Sequence, residues 1–313
     1  MSDPQRIDPD LAEALASLER IINANPHKEE PEPEKQLPAK VIQLPLWPEA
    51  RRAAPNAIFR SALFPAVNFQ SGRPYLERQK IFSVRGIEIV FTGKRFDQSD
   101  LDVYLELLDL ARFHPLGIEC CFTTKGMLKR LGRATGKSDR EWLHTVLTRL
   151  TANAVDITDH KKRYFGPLLL GGTRDELTKQ YRISINPKFA ALFGYGMWSS
   201  INRDQRHRLG RNATAKALHA YYSTHAAPGA HSFETLAEIV GLNYSNKRDE
   251  RGRLIEAHKR LASEDIGFLR DYSVSEDANS IKVYINPTPG QAHHIAKKII
   301  AKRRQARDTD EGG

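Results

Sequence analysis

Apolar residues recur at helical spacing over residues 10–22, then give way to NANPHKEEPEPEKQLPAK at 23–40. That Pro- and Glu-rich run has too little apolar surface to offset its ordering entropy. Residues 1–40 therefore read as an acidic, mostly disordered N-terminal segment. A short apolar island, Val41 to Trp47, opens a proline-punctuated stretch, and 41–78 reads as a linker. Folded structure is expected from Gln79. Ile81–Val84 and Ile87–Thr92 flank Arg85-Gly86 as a two-strand signal. Ser99, with Asp102 three residues on, is expected to cap a helix with a buried stripe of Leu101, Tyr104, Leu105 and Leu108. A short strand (Glu119–Phe122), a short helix (Thr124–Leu131) and a turn (132–137) follow. Ser138-x-x-Glu141 reads as the capping box of a third helix with core positions Leu143, Val146, Leu147 and Leu150. Strands Ala154–Thr158 and Tyr181–Ile185, joined by a long connection, close the unit.

The second half repeats this order. A helix over Asn212–Thr224 precedes a short one capped by Ser232 and ended by Gly241. A basic helix over Lys247–Ser263 and strands Gly267–Tyr272 and Ile281–Ile285 complete it. Phe122-Thr123-Thr124 echoes Phe233-Glu234-Thr235, and Ile183-Ser184-Ile185-Asn186-Pro187 echoes Val283-Tyr284-Ile285-Asn286-Pro287. Matching motifs in matching order point to an internal repeat. Helix, helix-turn-helix, β-hairpin is the winged-helix plan. The expected fold class is α+β, mainly helical, with tandem winged-helix domains at 79–198 and 199–290 and a basic C-terminal tail at 291–313. An α+β domain with no groove-reading role is the alternative.

Charge changes the picture next. The 313 residues carry 48 Lys+Arg against 38 Asp+Glu, a net +10. Residues 1–35 hold four basic and nine acidic side chains, which leaves +15 on residues 36–313. A basic folded region favours a polyanion, nucleic acid ahead of a membrane surface. No apolar run approaches the ~20 residues of a membrane span, and the start MSDPQRIDPD has no apolar signal core. With only the adjacent pair Cys120 and Cys121, the chain suits a reducing cytosol.

In a helix-turn-helix the third helix enters the major groove and needs exposed long donors. On the helix around Leu254, the positions Leu254, Ala257 and Leu261 face inward, and Arg248, Asp249, Gly252, Arg253, Glu256, Lys259 and Arg260 face outward. Arg248, Arg253, Lys259 and Arg260 are the candidate DNA contacts there; a solvated face with internal ion pairs is the alternative. The first domain's third helix offers Glu141, His144, Thr145, Thr148 and Arg149. Lys161, Lys162 and Arg163 form a candidate wing, whereas Ser275-Glu276-Asp277 makes the second hairpin tip acidic. Arg203, Arg206, Arg208 and Arg211 form a basic stretch suited to phosphates, with Arg208 and Arg211 the candidate contacts. Lys297–Arg307 holds six basic residues and no acid, either a helix on DNA or a solubilising end.

Catalysis finds no support. Gly132 to Ser138 looks like a phosphate loop but is one residue short between its glycines and follows a helix. The 11 histidines include no His-Glu-x-x-His, and there is no Cys-x-x-Cys or Gly-x-Ser-x-Gly, so neither metal nor cofactor is expected.

Several blocks resemble one family. Trp47-Pro48, Arg52-x-x-Pro55-Asn56 and Arg60-Ser61-Ala62-Leu63-Phe64 are similar to the TrfA family of plasmid replication initiators of IncP-type plasmids. So are Thr214-Ala215 through Tyr221-Tyr222-Ser223-Thr224-His225, Phe233-Glu234-Thr235, and Glu256-Ala257 with Leu261. The resemblance runs from about residue 41 to 287. It implies a non-enzymatic protein that binds direct repeats (iterons) in a plasmid origin and helps open A·T-rich DNA, with single-stranded origin DNA as a further ligand. It also implies recruitment of the host initiator DnaA and the replicative helicase, and a monomer–dimer equilibrium in which dimers restrain initiation. The second winged helix is implied to be the stronger reader.

Gln43-Leu44-Pro45-Leu46-Trp47 resembles the Gln-Leu-x-Leu-Phe pentapeptide that enters the pocket of the DNA polymerase sliding clamp, with Gln43, Leu44, Leu46 and Trp47 as anchors. Two leucines and a tryptophan on a linker call for burial, in a clamp or in the protein's own first domain. A winged-helix transcriptional regulator or partition protein binding an inverted repeat as a dimer is the alternative function. Structural nucleoid binding is a third.

Overall fold

Segments of helical and of alternating periodicity fold in an order that runs twice along the chain. The computed structural model describes residues 16–17, 20, 42–67, 69, 72–242 and 246–310. The first repeat comprises α2 (Gln98–Ala111), β4 (Glu119–Thr123), α3 (Thr124–Arg130), α4 (Lys137–Ala152), β7 (Leu169–Arg174) and β8 (Gln180–Ile185). The second comprises α6 (Ala213–Ser223), β10 (Ala230–Ser232), α7 (Phe233–Val240), α8 (Lys247–Ala262), β11 (Leu269–Val274) and β12 (Ser280–Ile285). Each closes on an antiparallel sheet in which the last strand lies in the middle, β4-β8-β7 and β10-β12-β11. Alternation drives both central strands: Tyr181, Ile183 and Ile185 are buried in β8, and Ile281, Val283 and Ile285 in β12.

The match extends to single hydrogen bonds. Leu169 faces Ile185 and Leu269 faces Ile285, each followed by a register shift. Asn186 Nδ2 donates to the Pro167 carbonyl, and Asn286 Nδ2 to the Gly267 carbonyl. Thr123 caps α3 opposite Gln180, as Ser232 caps α7 opposite Ser280. The Ile-Asn-Pro echo is thus a true equivalence. The Phe-x-Thr echo is not: Thr123 matches Ser232, so Phe122-Thr123-Thr124 and Phe233-Glu234-Thr235 stand two residues out of register.

The linker reading of 41–78 is corrected, because much of that stretch is core. β1 (Arg51–Pro55) pairs antiparallel with β9 (Trp198–Asn202), and α1 (Asn56–Phe59) follows at once. Leu44, Trp47, Ala53, Ala54, Ile58, Leu63 and Phe64 are all buried. β2 (Tyr75–Ile81) also begins before Gln79. Buried Arg52 forks onto Glu106 at 2.7 and 3.0 Å. Arg130 reaches Glu106 (2.8 Å) and Asp109 (2.5 Å), and Arg112 also pairs with Asp109. A short hydrophobic run between prolines hides the charge partners that fold it, since those lie some 50 residues away in α2.

Strands 154–158 and 181–185 do not pair with each other. β5 (Ala154–Asp159) and β6 (Lys162–Gly166) form a hairpin that extends β2 and β3 (Ile87–Lys94) into a sheet ordered β2-β3-β5-β6. Together the described residues hold twelve strands in four antiparallel sheets, so the fold is α+β with more strand than a mainly helical reading allows. Two caps differ as well. Asp97, not Ser99, caps α2, in a reciprocal box with Asp100. Gly136 caps α4 without a side-chain bond, which leaves Ser138 inside the helix. Ser232 and Gly241 bound α7 as expected, Gly241 at φ +68°.

Residues from 42 onward form one compact unit, set apart from 1–41. In the latter Ala16, Ser17 and Arg20 are helical, and the disorder expected of 1–40 lies otherwise outside the described residues. Each repeat has its own hydrophobic core. Between the repeats, half-buried Asp102 of α2 accepts from Arg206 Nε at 2.6 Å and Lys216 Nζ at 2.7 Å. Burial pushes the Asp102 carboxyl up, but the two cations outweigh it and hold it below the usual range. Residues 60–66 strap onto the second repeat: Arg60 donates to Thr224, and the Ala66 N–H to the Val240 carbonyl at 2.7 Å. A Cβ at Gly241 would stand 2.6 Å from Pro65 Cβ, so glycine there allows the strap to lie close. No described helix is long and apolar enough to cross a membrane.

Candidate nucleic-acid interface

Asn246 starts α8 by accepting the Arg248 N–H at 2.9 Å. Leu254, Ala257, His258 and Leu261 are buried at 0% exposure and fix the inward face of α8. Arg248, Asp249, Gly252, Arg253, Glu256 and Lys259 lie on the exposed side, as the spacing predicts. Arg260 differs. Its guanidinium forks onto Asp265 (2.7 and 2.8 Å) and donates to the Arg208 carbonyl at 2.8 Å. Hydrogen bonds from Arg260 and Ser263 hold the Asp265 carboxyl down at about 2. Arg260 therefore anchors the end of α8 against α5 (Arg203–Arg208) and brings exposed Arg208 beside it.

α4 presents a different face. Glu141, His144, Thr145 and Thr148 are exposed, but Arg149 is buried, bound to Asp100 at 2.6 and 3.1 Å. Arg149 is thereby corrected from a DNA contact to a core ion pair. The Thr145 and Thr148 hydroxyls donate to carbonyls four residues back. His144 Nδ1 stands 3.1 Å from the Tyr181 hydroxyl, which ties α4 to β8.

Lys161, Lys162 and Arg163 are exposed but belong to the β5–β6 hairpin, in a sheet outside the repeat. Arg163 is also paired, at 2.9 and 2.6 Å, with Asp156. The hairpin equivalent to β11–β12 is β7–β8, which carries Arg174, Lys179 and Arg182. Sequence reasoning passed these residues over; the 100-residue offset between Leu169 and Leu269 is the signal that finds them. Both tips close on their own acids: Asp175 accepts the Leu177 and Thr178 N–H groups, and Asp277 accepts from Ser275 and Asn279.

The basic stretch 203–211 splits. Arg206 is buried against Asp102 and Gln98, which removes it from any phosphate role. Arg208 and Arg211 are exposed. Arg211 lines a cleft of about 640 Å³ at the junction of the repeats, with Arg133, Trp142, Arg203 and Lys216 among its walls. Gly132 and Arg133 of the phosphate-loop-like turn lie there too. α9 (Pro289–Asp310) carries the basic tail as a helix, with Lys297 and Lys298 exposed.

The pentapeptide at 43–47 is largely spoken for. Leu44 is 3% exposed and Trp47 5%. Trp47 Nε1 donates to Asp109 at 3.0 Å, and its ring stacks on Phe193. Gln43 donates to the Arg112 carbonyl at 3.2 Å. Only Leu46, at 69%, projects from the surface among the two leucines and the tryptophan.

The second repeat also buries neutral imidazoles. His258 bridges the Leu254 carbonyl (2.7 Å) and the Tyr222 hydroxyl (2.8 Å), and burial lowers it to about 4. Burial first, and then Arg206 and Arg51, lower His219 to about 3. Among the described residues no three His, Cys, Asp or Glu side chains form a metal-holding group.

Comparison with known proteins follows the same line. Residues 27–282 match the TrfA protein family. A plasmid replication initiator protein TrfA from Escherichia coli is 25% identical over 235 residues, covering 72% of this chain and 61% of that protein. Among solved structures, domains 2 and 3 of RctB align with 75% of this chain and 99% of their own, at 13% identity and a TM-score of 0.49. Pi initiator protein in complex with iteron DNA aligns with 78% of this chain and all of its own, at 8% identity and a TM-score of 0.47.

Proposed function

The chain belongs to the TrfA protein family, and we propose that it is a plasmid replication initiator that binds direct repeats at its origin. Each repeat is, on this reading, a winged helix, with α8 as the main groove-reading helix and α4 as the weaker one. The observation that carries the reading is the exposed face of α8. It sets Arg248, Arg253 and Lys259 outward from a core of Leu254, Ala257 and Leu261, on a repeated helix–strand–helix–helix–hairpin frame. Arg208 and Arg211 extend that surface as phosphate contacts, and the exposed lysines of α9 add sequence-independent charge. His144, Thr145 and Thr148 are the corresponding contacts in the first repeat. Nothing in the scheme is catalytic: specific contacts to phased repeats supply the energy that distorts and opens adjacent A·T-rich DNA.

DnaA, the replicative helicase and a self-associating dimer complete the scheme as partners. A sliding-clamp contact through 43–47 requires that segment to leave the core first, since its two deepest anchors are buried.

Footprinting on the plasmid's own origin, with permanganate reporting unpaired thymines, tests the function. Periodic protection over direct repeats with reactive thymines alongside is the expected result. One protected inverted repeat without reactive thymines would instead make the protein a regulator.

A further inference from the structure

We propose that Gly252 is the point of closest approach between this protein and duplex DNA, kept free of a side chain by the partner and not by the fold. The proposal rests on the reading of α8 as the groove-entering helix and says where on that helix the contact is tightest.

Gly252 lies in the interior of α8, six residues into a sixteen-residue helix. Apart from proline, glycine is the poorest helix former, so an interior glycine needs a reason. No internal one exists. Its φ lies outside the left-handed range, and a Cβ built on it meets no atom of a described residue within 4 Å. Gly126, inside α3 of the first repeat, makes the contrast. A Cβ there would stand 2.9 Å from Thr123 Oγ1, the group that caps that helix. A Cβ at Gly126 would crowd the capping hydroxyl, whereas the described residues leave open space at position 252.

Position on the helix completes the argument. At about 100° per residue, Gly252 points away from Leu254 and Leu261 and lies near the middle of the exposed face. Arg248 sits one turn before it, Glu256 one turn after, and Lys259 about two turns on, each within roughly 40° of the same direction. The face is therefore a shallow notch between long polar side chains. A helix axis approaches base edges most closely where side chains are shortest, while flanking side chains reach along the groove to either side. A Cβ at 252, and more so a branched side chain, would hold the helix off and lengthen every flanking hydrogen bond at once.

Fold and partner then pull in opposite directions, and a substitution series separates them. Gly252→Ala and Gly252→Leu would be compared with wild type for melting temperature and for affinity to two probes. One is a duplex carrying the origin's direct repeats; the other is a shuffled duplex of equal composition. Both variants should melt higher, Gly252→Ala by about 2–4 °C. Binding to the repeat duplex should weaken with side-chain size, by roughly tenfold or more for Gly252→Leu, with much less change on the shuffled duplex. Unchanged affinity of both variants for the repeat duplex would overturn the assignment of Gly252 while leaving α8 as the reader. A wild-type protein that does not prefer the repeat duplex would overturn the α8 reading itself. Should Gly252→Leu fail to fold, the Ala variant alone decides.

Discussion

The two repeats share a topology down to single hydrogen bonds and differ in what they bury. The first sinks charge into its core: Arg52, Glu106, Asp109 and Arg112 are each 3% exposed or less, with Asp100 and Arg149 alongside. The second buries neutral polar rings, pairing Tyr222 with His258 and setting His219 beside Phe268. Their third helices diverge in step. The first spends its one outward-predicted arginine, Arg149, on Asp100, while the second keeps Arg248, Arg253 and Lys259 at the surface. One frame thus serves two purposes, and topology does not decide which. The allocation of arginines between core and surface does.

The largest effect should come from breaking the first repeat's charge network. Glu106→Ala removes the carboxylate that Arg52 and Arg130 share, leaves both to lean on Asp109, and should cost about 3 kcal/mol in chemical denaturation. A loss below 1 kcal/mol would mean that water or rearranged partners take over the burial.

Acid should act on the other half. His219 and His258 have folded values depressed to about 3 and about 4. Their stabilisation is present above the unfolded value near 6.5 and is lost progressively as pH falls from there to the folded values. At pH 5 each imidazole should cost about 2 kcal/mol relative to pH 7. All three tryptophans, Trp47, Trp142 and Trp198, precede the second repeat. Between pH 7 and 5, circular dichroism should therefore gain an early melting step that tryptophan fluorescence does not see. A joint shift of both signals would mean the repeats unfold as one body.

The smallest effect bears on recognition. Arg253→Ala should lose about 1–3 kcal/mol on repeat-bearing origin DNA and much less on a shuffled duplex, with stability nearly unchanged. Equal losses on both DNAs would make Arg253 a phosphate contact. Arg149→Ala should do the reverse, lowering stability and leaving the preference for the repeats intact.

What the sequence disclosed follows from range. Periodicity placed the stripes of α2, α4 and α8, since neighbours three and four apart report on the same helix face. The Ile-Asn-Pro echo located the ends of both central strands. The outward face of α8 was legible because every buried residue on it is apolar or small, apart from Glu250 and His258. The fate of Arg149, Arg206 and Arg260 was not, because Asp100, Asp102 and Asp265 become their partners only through tertiary contact or a sharp turn. Arginine at a helical surface position and arginine folded back onto an acid have the same spacing. The repeat's hairpin is hard to read for a related reason: Lys161 to Arg163 advertise charge, whereas β7–β8 has glycines and a self-paired acid. The family block at 47–64 carried a strong resemblance, yet its packing depended on α2 and β9, elements that composition alone does not connect to it.

The Asp102 bridge has a consequence for how tightly the molecule can hold a long ligand. Modules on a slack tether gain from each other only through effective concentration, and each docking event bears its own ordering cost. Here Arg206 and Lys216 clamp α2 to the second repeat, and the strap at 60–66 holds the same joint from the other side. The bridge is partly shielded, with Arg206 3% and Asp102 20% exposed, so added salt screens it less than it screens fully exposed charge. In the DNA-binding scheme proposed above, the first repeat would meet its stretch of duplex with its orientation already set once the second is docked, and its contacts would go to lengthening the residence time.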